Sequence, residues 1–146
     1  MIPRVRRVNS TNGMKLMIQR RETFCASHRL CNPELSELEN QERYKKCATI
    51  HGHNYVLLVS ISGPVDRETG MIIAFEDMKQ CIGGVVDAFD HTYLNDHDFF
   101  KDQPTTVENL AQLIWQLLES AFDGRVQLDR IELFETEKNS VVLMRD

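Results

Sequence analysis

Long apolar runs are missing from this chain, and the longest fall far below the roughly 20 residues that a membrane-spanning helix requires. No basic stripe is present either. Seventeen lysines and arginines against 22 aspartates and glutamates leave a formal net charge of −5, which argues against a nucleic-acid binder because phosphates could not be neutralised. The basic group Arg4, Arg6 and Arg7 is short, lacks interleaved aromatic residues and reads as a solvated tail. None of the four cysteines, Cys25, Cys31, Cys47 and Cys81, forms a C-x-x-C pair. With no apolar signal segment at the start, they are expected as reduced thiols in a cytoplasmic protein. Internal repeats and low-complexity stretches are absent, so a solenoid is not expected.

What is present suits one core. The chain has 146 residues, of which 42% are hydrophobic, enough for a single domain over 14–146 behind a flexible leader, 1–13, whose Pro3, Asn9, Asn12 and Gly13 show no periodicity. Residues 14–28 alternate as a strand, with Leu16, Ile18, Phe24 and Ala26 in phase with His28. The charged stretch 32–46 reads as a partly helical excursion. Tyr55, Leu57, Val59 and Ile61 place a second strand at 53–62, ended by Gly63-Pro64. Phe75, Met78, Ile82, Val85, Val86 and Phe89 recur at helical spacing and predict a helix that Asp90-His91 ends. Leu110, Leu113, Ile114, Leu117 and Leu118 predict another helix, capped by Thr105 or Thr106, with Trp115 as core. Two further strands are expected at 126–136 and 140–145, joined by a hairpin. The order β-β-α-α-β-β predicts an α+β domain, a four-stranded antiparallel sheet with both helices on one face. The other face then needs cover, which points to an oligomer.

His51-Gly52-His53 opens the second strand and His28 closes the first. Side chains two apart on a strand share a face, so His51 and His53 point one way, and Gly52 leaves room for a third ligand. An isolated H-x-H is more often a pair of ordinary polar residues. Three neutral imidazoles from two strands, however, make a zinc site with an open fourth position, the catalytic arrangement.

Cys47, four residues before His51, has three readings: a fourth ligand in a structural site, an inert buried thiol, or a base whose pKa a nearby cation lowers. Asp90 beside His91 could orient and strengthen an imidazole, although an ordinary histidine after a helix is commoner. Glu135, in phase with Ile131 and Leu133, would be a costly carboxylate on an apolar face unless a ligand paired with it.

Six motifs in order carry a resemblance: Phe24-Cys25-Ala26-Ser27-His28-Arg29-Leu30, Cys47-x-x-x-His51-Gly52-His53-Asn54-Tyr55, Val65-Asp66-x-x-Thr69-Gly70-Met71, Asp90-His91-x-x-Leu94-Asn95, Pro104-Thr105-Thr106-Val107-Glu108-Asn109-Leu110-Ala111 and Glu135-Thr136. From about residue 15 onward the chain resembles the 6-pyruvoyltetrahydropterin synthase / 6-carboxytetrahydropterin synthase family. The resemblance implies the tunnelling fold, whose subunits join their sheets into a barrel, as trimers or stacked hexamers with active sites at subunit interfaces. It further implies a zinc-dependent lyase acting on 7,8-dihydroneopterin triphosphate. Zinc would be held by His28, His51 and His53, with Cys47 as catalytic base and Asp90-His91 as relay. Glu135 would anchor the pterin and join the relay, and Thr106 and Glu108 would contact it. A non-catalytic zinc-binding or scaffold protein is disfavoured because every reactive position is filled. A metal-free, dihydroneopterin aldolase-like protein is disfavoured by the three histidines.

Two signals divide on the product. Pyruvoyl synthases place five residues between cysteine and the first histidine, whereas this chain has three, the carboxy-branch spacing. The excursion from Asn32 to Lys46, with Leu35-Ser36-x-x-Glu39-Asn40, resembles the longer pyruvoyl-branch loop. Spacing sets where the base sits, so the expected product is 6-carboxy-5,6,7,8-tetrahydropterin, with acetaldehyde and triphosphate released, in the queuosine route. The alternative is 6-pyruvoyltetrahydropterin, in the tetrahydrobiopterin route.

Overall fold

In the computed structural model residues 13–146 are described; the expected leader, Gly13 apart, and the Arg4, Arg6 and Arg7 tail lie outside them. Strand β1 (Ile18–His28) is followed by helix α1 (Glu37–Tyr44) and a 3₁₀ turn, Lys45–Ala48. Strand β2 (His51–Ser62), helix α2 (Phe75–Val86), the two-residue strand β3 (Thr92–Tyr93), helix α3 (Val107–Ala121), and strands β4 (Gln127–Phe134) and β5 (Ser140–Met144) complete the order. The strands form one sheet, β3-β1-β2-β4-β5. All neighbours are antiparallel except β3, which runs parallel to β1.

The α+β class and the four long strands agree with the sequence pattern, but the sheet has five strands and is mixed, and the helices number three among the described residues. Thr92-Tyr93 is too short to show an alternation. Helix α1 lacks the apolar stripe that reveals a helix, and its Leu38 is 65% exposed. Polar bonds hold it instead: Ser36 and Glu39 form a reciprocal capping box. Asn40, which is buried, accepts from the Asn32 amide and donates to the carbonyls of Asn32, Leu35 and Ser36. Helix α2 stops at Val86 rather than reaching Asp90-His91. The amides of Phe89 and Asp90 turn back to the Val86 carbonyl, carrying Phe89 into the core. Phe75, expected inside, is largely exposed at that helix's first position.

Alternation sorts the sheet into two faces. Phe24 and Ala26 of β1, Tyr55, Leu57, Val59 and Ile61 of β2, and Ile131 and Leu133 of β4 face α2 and α3. From the helices come Met78, Ile82, Leu110, Ile114 and Leu118, all fully buried; burying each such side chain contributes about 1.5–3 kcal/mol. Gly63 ends β2 where a side chain could not fit, since a Cβ there would lie 2.9 Å from the Arg125 carbonyl oxygen. The opposite face carries Arg21, Asn54, Val56, Leu58 and Phe134 around a depression of about 400 Å³. No described helix is long and apolar enough to cross a membrane.

Candidate active site

Three imidazoles meet at the open end of the β1–β2 ladder. His28 is paired directly with His51 in register, and His53 is opposite Ala26, so all three leave the helix-facing side within two rows of the sheet. Their ligand atoms lie within 4.8 Å of one another, and the ring centroids are 4.7, 4.9 and 5.1 Å apart. Gly52 does not clear this space. It projects to the other face, where a Cβ would sit 3.4 Å from the Ala26 carbonyl oxygen. The room arises because Ala26, the residue opposite His53, is small.

Two backbone carbonyls set which nitrogen each ring presents. His28 Nδ1 lies 2.7 Å from the Thr105 carbonyl and His51 Nδ1 lies 2.7 Å from the Thr49 carbonyl. A carbonyl only accepts, so each Nδ1 carries the proton and each Nε2 offers a lone pair, the orientation that metal-binding histidines use. His28 Nε2 and His53 Nε2 are buried and without hydrogen-bond partners. Burial pushes the His28 pKa down to about 4, aided by the neighbouring His51 and His53 and opposed by the Thr105 carbonyl. Burial likewise lowers His53, with Glu135 pulling against it and His51 adding to it. His28 and His53 are therefore neutral at pH 7. Orphaned, inward-facing Nε2 atoms on neutral rings are the donor set that fits a zinc ion with an open position.

Glu135 follows β4 in phase with Ile131 and Leu133. Its Oε1 stands 3.8 Å from His53 Nε2, too far for a hydrogen bond, so the carboxylate keeps its acceptor capacity at the rim of the cluster. Cys47 lies exposed on the 3₁₀ turn; its carbonyl accepts from the Leu30 amide at 2.7 Å, two residues after His28. Asp90 and His91 do form a pair, Oδ2 to Nδ1 at 2.9 Å. Asp90 Oδ1 also takes the Cys25 amide at 2.8 Å, and that amide and His91 hold the carboxyl below its ordinary pKa. His91, at φ 58°, donates its own amide to the Cys25 carbonyl at 2.6 Å. Both are thus fastened to the β1 edge, and among the described residues neither bonds Cys47 or a clustered histidine. Thr106 caps α3, accepting from the Asn109 amide at 3.3 Å, while Glu108 is exposed in its first turn.

Sequence reasoning missed the roles of Thr49, Thr105 and Asn95. Thr105 lies 77 residues from the imidazole it orients, and no local pattern announces a backbone acceptor. Asn95 was visible only as part of a motif; it clamps the peptide of Arg29, accepting from its amide at 3.0 Å and donating to its carbonyl at 2.9 Å.

A family model described as 6-pyruvoyl tetrahydropterin synthase matches residues 17–146. The chain belongs to that family. A 6-pyruvoyl tetrahydrobiopterin synthase of Dictyostelium discoideum is 43% identical over 130 residues, covering 87% of this chain and 94% of that one. The protein of the same name from Drosophila melanogaster is 39% identical over 128 residues, 85% and 76% of the two chains. The solved structure of Caenorhabditis elegans 6-pyruvoyl tetrahydropterin synthase superposes with a TM-score of 0.82 at 34% identity, covering 90% of this chain and 96% of that one. The expected enzyme type, a lyase of the 6-pyruvoyltetrahydropterin synthase kind, therefore stands.

The branch reading does not. A putative 6-carboxy-5,6,7,8-tetrahydropterin synthase of Archaeoglobus fulgidus matches at 36% over only 94 residues, 64% of this chain, whereas the pyruvoyl relatives match over most of it. The carboxy product inferred from the three-residue gap is overturned. A gap counts residues and does not report the bonds that hold the turn, the Leu30 amide on the Cys47 carbonyl and the Asn32 amide on Asn40 within the excursion. The Leu35–Asn40 segment was the better guide.

Proposed function

We propose that this protein converts 7,8-dihydroneopterin triphosphate to 6-pyruvoyltetrahydropterin, eliminating triphosphate. The observation that carries the reading is the three-imidazole cluster, with the Nε2 atoms of His28 and His53 buried and unpartnered, beside the free carboxylate of Glu135. His28, His51 and His53 would hold zinc, which when bound supplies Lewis acidity toward the side-chain hydroxyls of the substrate. Glu135 accepts the pterin's amino and ring N–H donors, which orients the ring. Cys47 takes the proton whose removal starts the redox isomerisation, and Asp90-His91 passes protons onward. Thr106 and Glu108 line the pterin's approach at the start of α3. Two electrons move from side chain to ring within one molecule, so no external oxidant is needed. The whole carbon side chain stays.

The same reading holds that copies of this chain join their sheets into a barrel, as a trimer or hexamer with active sites at the interfaces. It is supported by the partly apolar open face and by the attachment of Asp90-His91 to the β1 edge rather than to the histidine cluster.

Incubation with 7,8-dihydroneopterin triphosphate and zinc should yield 6-pyruvoyltetrahydropterin and triphosphate by mass spectrometry, without acetaldehyde. Cys47→Ala should retain about one zinc per chain and lose turnover. Acetaldehyde in stoichiometric amount would overturn the product, and zinc lost together with activity would make Cys47 a ligand.

A further inference from the structure

We infer that Arg29 is a positioning residue that fixes the Cys47 turn relative to the histidine cluster; this rests on the roles proposed for Cys47 and the cluster. The peptide His28-Arg29-Leu30 touches every part of the arrangement. His28 belongs to the cluster, and the Leu30 amide bonds the Cys47 carbonyl at 2.7 Å. Between them, the Arg29 backbone is saturated: its amide donates to Asn95 Oδ1 at 3.0 Å, and its carbonyl accepts from Asn95 Nδ2 and Thr105 Oγ1, each at 2.9 Å. Thr105 is the residue whose own carbonyl orients His28. The base of the Arg29 side chain thus starts from a point locked to the cluster.

From that point the guanidinium reaches out to α1. Nη1 and Nη2 donate to Glu37 Oε1 and Oε2 at 3.0 and 3.1 Å, a fork-to-fork pair. Glu37 is the first residue of the helix, whose last residue, Tyr44, is followed directly by the Lys45–Ala48 turn bearing Cys47. Beyond the Asn40 bonds inside the excursion, the segment is thus tied to the His28–Leu30 peptide at two places, by Leu30 at Cys47 itself and by Arg29 at the far end of α1.

Stability does not account for this pair. Glu37 is 56% exposed and Arg29 30% exposed, and exposed ion pairs contribute about 0–1 kcal/mol. Direction does account for it. A planar guanidinium on a carboxylate fixes angle as well as distance, which a lysine ammonium cannot. Displacing a catalytic group by about 1 Å can cost about 100-fold in rate.

The test uses full-length zinc-loaded protein and three variants: Arg29→Lys, which keeps the charge and loses the fork, Glu37→Gln, and the exchange Arg29→Glu with Glu37→Arg. In both single variants zinc stays at wild-type content, kcat falls about tenfold with KM within about twofold, and iodoacetamide labels Cys47 about threefold more slowly, because the thiol sits farther from the cation. Chelating the zinc removes the difference in labelling between wild type and variant. The exchanged pair recovers most of kcat and of the labelling rate. Wild-type kcat and labelling in Arg29→Lys would overturn the inference. So would zinc loss parallel to kcat, which would place the effect at His28, or a labelling difference that survives chelation, which would reduce it to exposure. A wild-type protein that leaves the pterin triphosphate unconverted would sink the proposed reaction instead, and the labelling comparison would still decide the role of Arg29.

Discussion

His28 shows how one side chain joins stability to chemistry. It is 1% exposed and its pKa is pushed from 6.5 to about 4 by burial, so between those values the unfolded chain binds a proton that the folded chain refuses. The stability associated with this neutral ring is complete above about pH 6.5 and declines as pH falls toward 4; for one such group the slope approaches about 1.4 kcal/mol per pH unit. His53, also lowered, acts in the same direction. The depressed carboxyls, Asp66, Asp90 and Glu132 among them, withdraw their contributions only below their ordinary values of 3.8 and 4.5. Chelator-treated protein should therefore show a melting temperature that falls between pH 6.5 and 5, with a shallower fall in His28→Asn. A flat profile over that window would mean the rings do not titrate out of step with the unfolded chain. The histidine cluster was legible in the sequence because strand alternation puts His51 and His53 on one face and His28 closes the strand before them. Their tautomers were not, because the carbonyls that set them belong to Thr49, in an irregular link, and to Thr105, which a distant loop delivers.

Elements were legible in proportion to how much apolar surface they bury. Helix α3 and strands β2 and β4 carry stripes that are almost wholly buried, and their periodicity located them. Helix α1 buries only Asn40, so its order comes from hydrogen bonds that hydrophobic pattern cannot report, and β3 is two residues long. The branch error arose because the residue gap was given more weight than the likeness of the 32–46 excursion to the pyruvoyl-branch loop, whose hydrogen-bonded architecture hydrophobic pattern does not report. Asn40 lets the point be tested. Its side chain makes four bonds of 2.7–3.1 Å to the backbone of Asn32, Leu35 and Ser36, and truncation leaves those groups to find other partners at a cost of about 1–3 kcal/mol. Asn40→Ala should lower the denaturation midpoint accordingly and open the 32–46 segment to early proteolytic cleavage. A midpoint within error of the parent, with unchanged cleavage, would show that the excursion is held by its ends alone.

At the scale of the whole molecule, the two helices that cover the sheet, α2 and α3, lie on one side, and that imbalance was readable from the number of apolar stripes before any coordinate. What could not be read is how the other face looks: Val56, Leu58 and Phe134 sit beside Arg21 and Asn54, with Val142 and Met144 exposed at 43% and 67% on the β5 edge strand. An edge of unpaired N–H and C=O groups next to an apolar strip is a surface that a second sheet completes, by continuing the ladder and covering the strip together. If copies of this chain do so, a charge placed in the middle of the strip is buried without a partner in every subunit, at a cost of several kcal/mol each. Leu58 is the residue to change, because it lies on the open face of a central strand and contributes nothing to the helix-side core. Leu58→Lys should keep its far-ultraviolet circular dichroism and bind zinc, yet shift from trimer or hexamer to monomer in light scattering at micromolar concentration. Turnover should fall with assembly and return as protein concentration is raised, since a monomer holds Asp90-His91 on the β1 edge, away from the Cys47 that a shared site would bring to it. A monomeric variant with full activity would separate catalysis from assembly and place every required group within one chain.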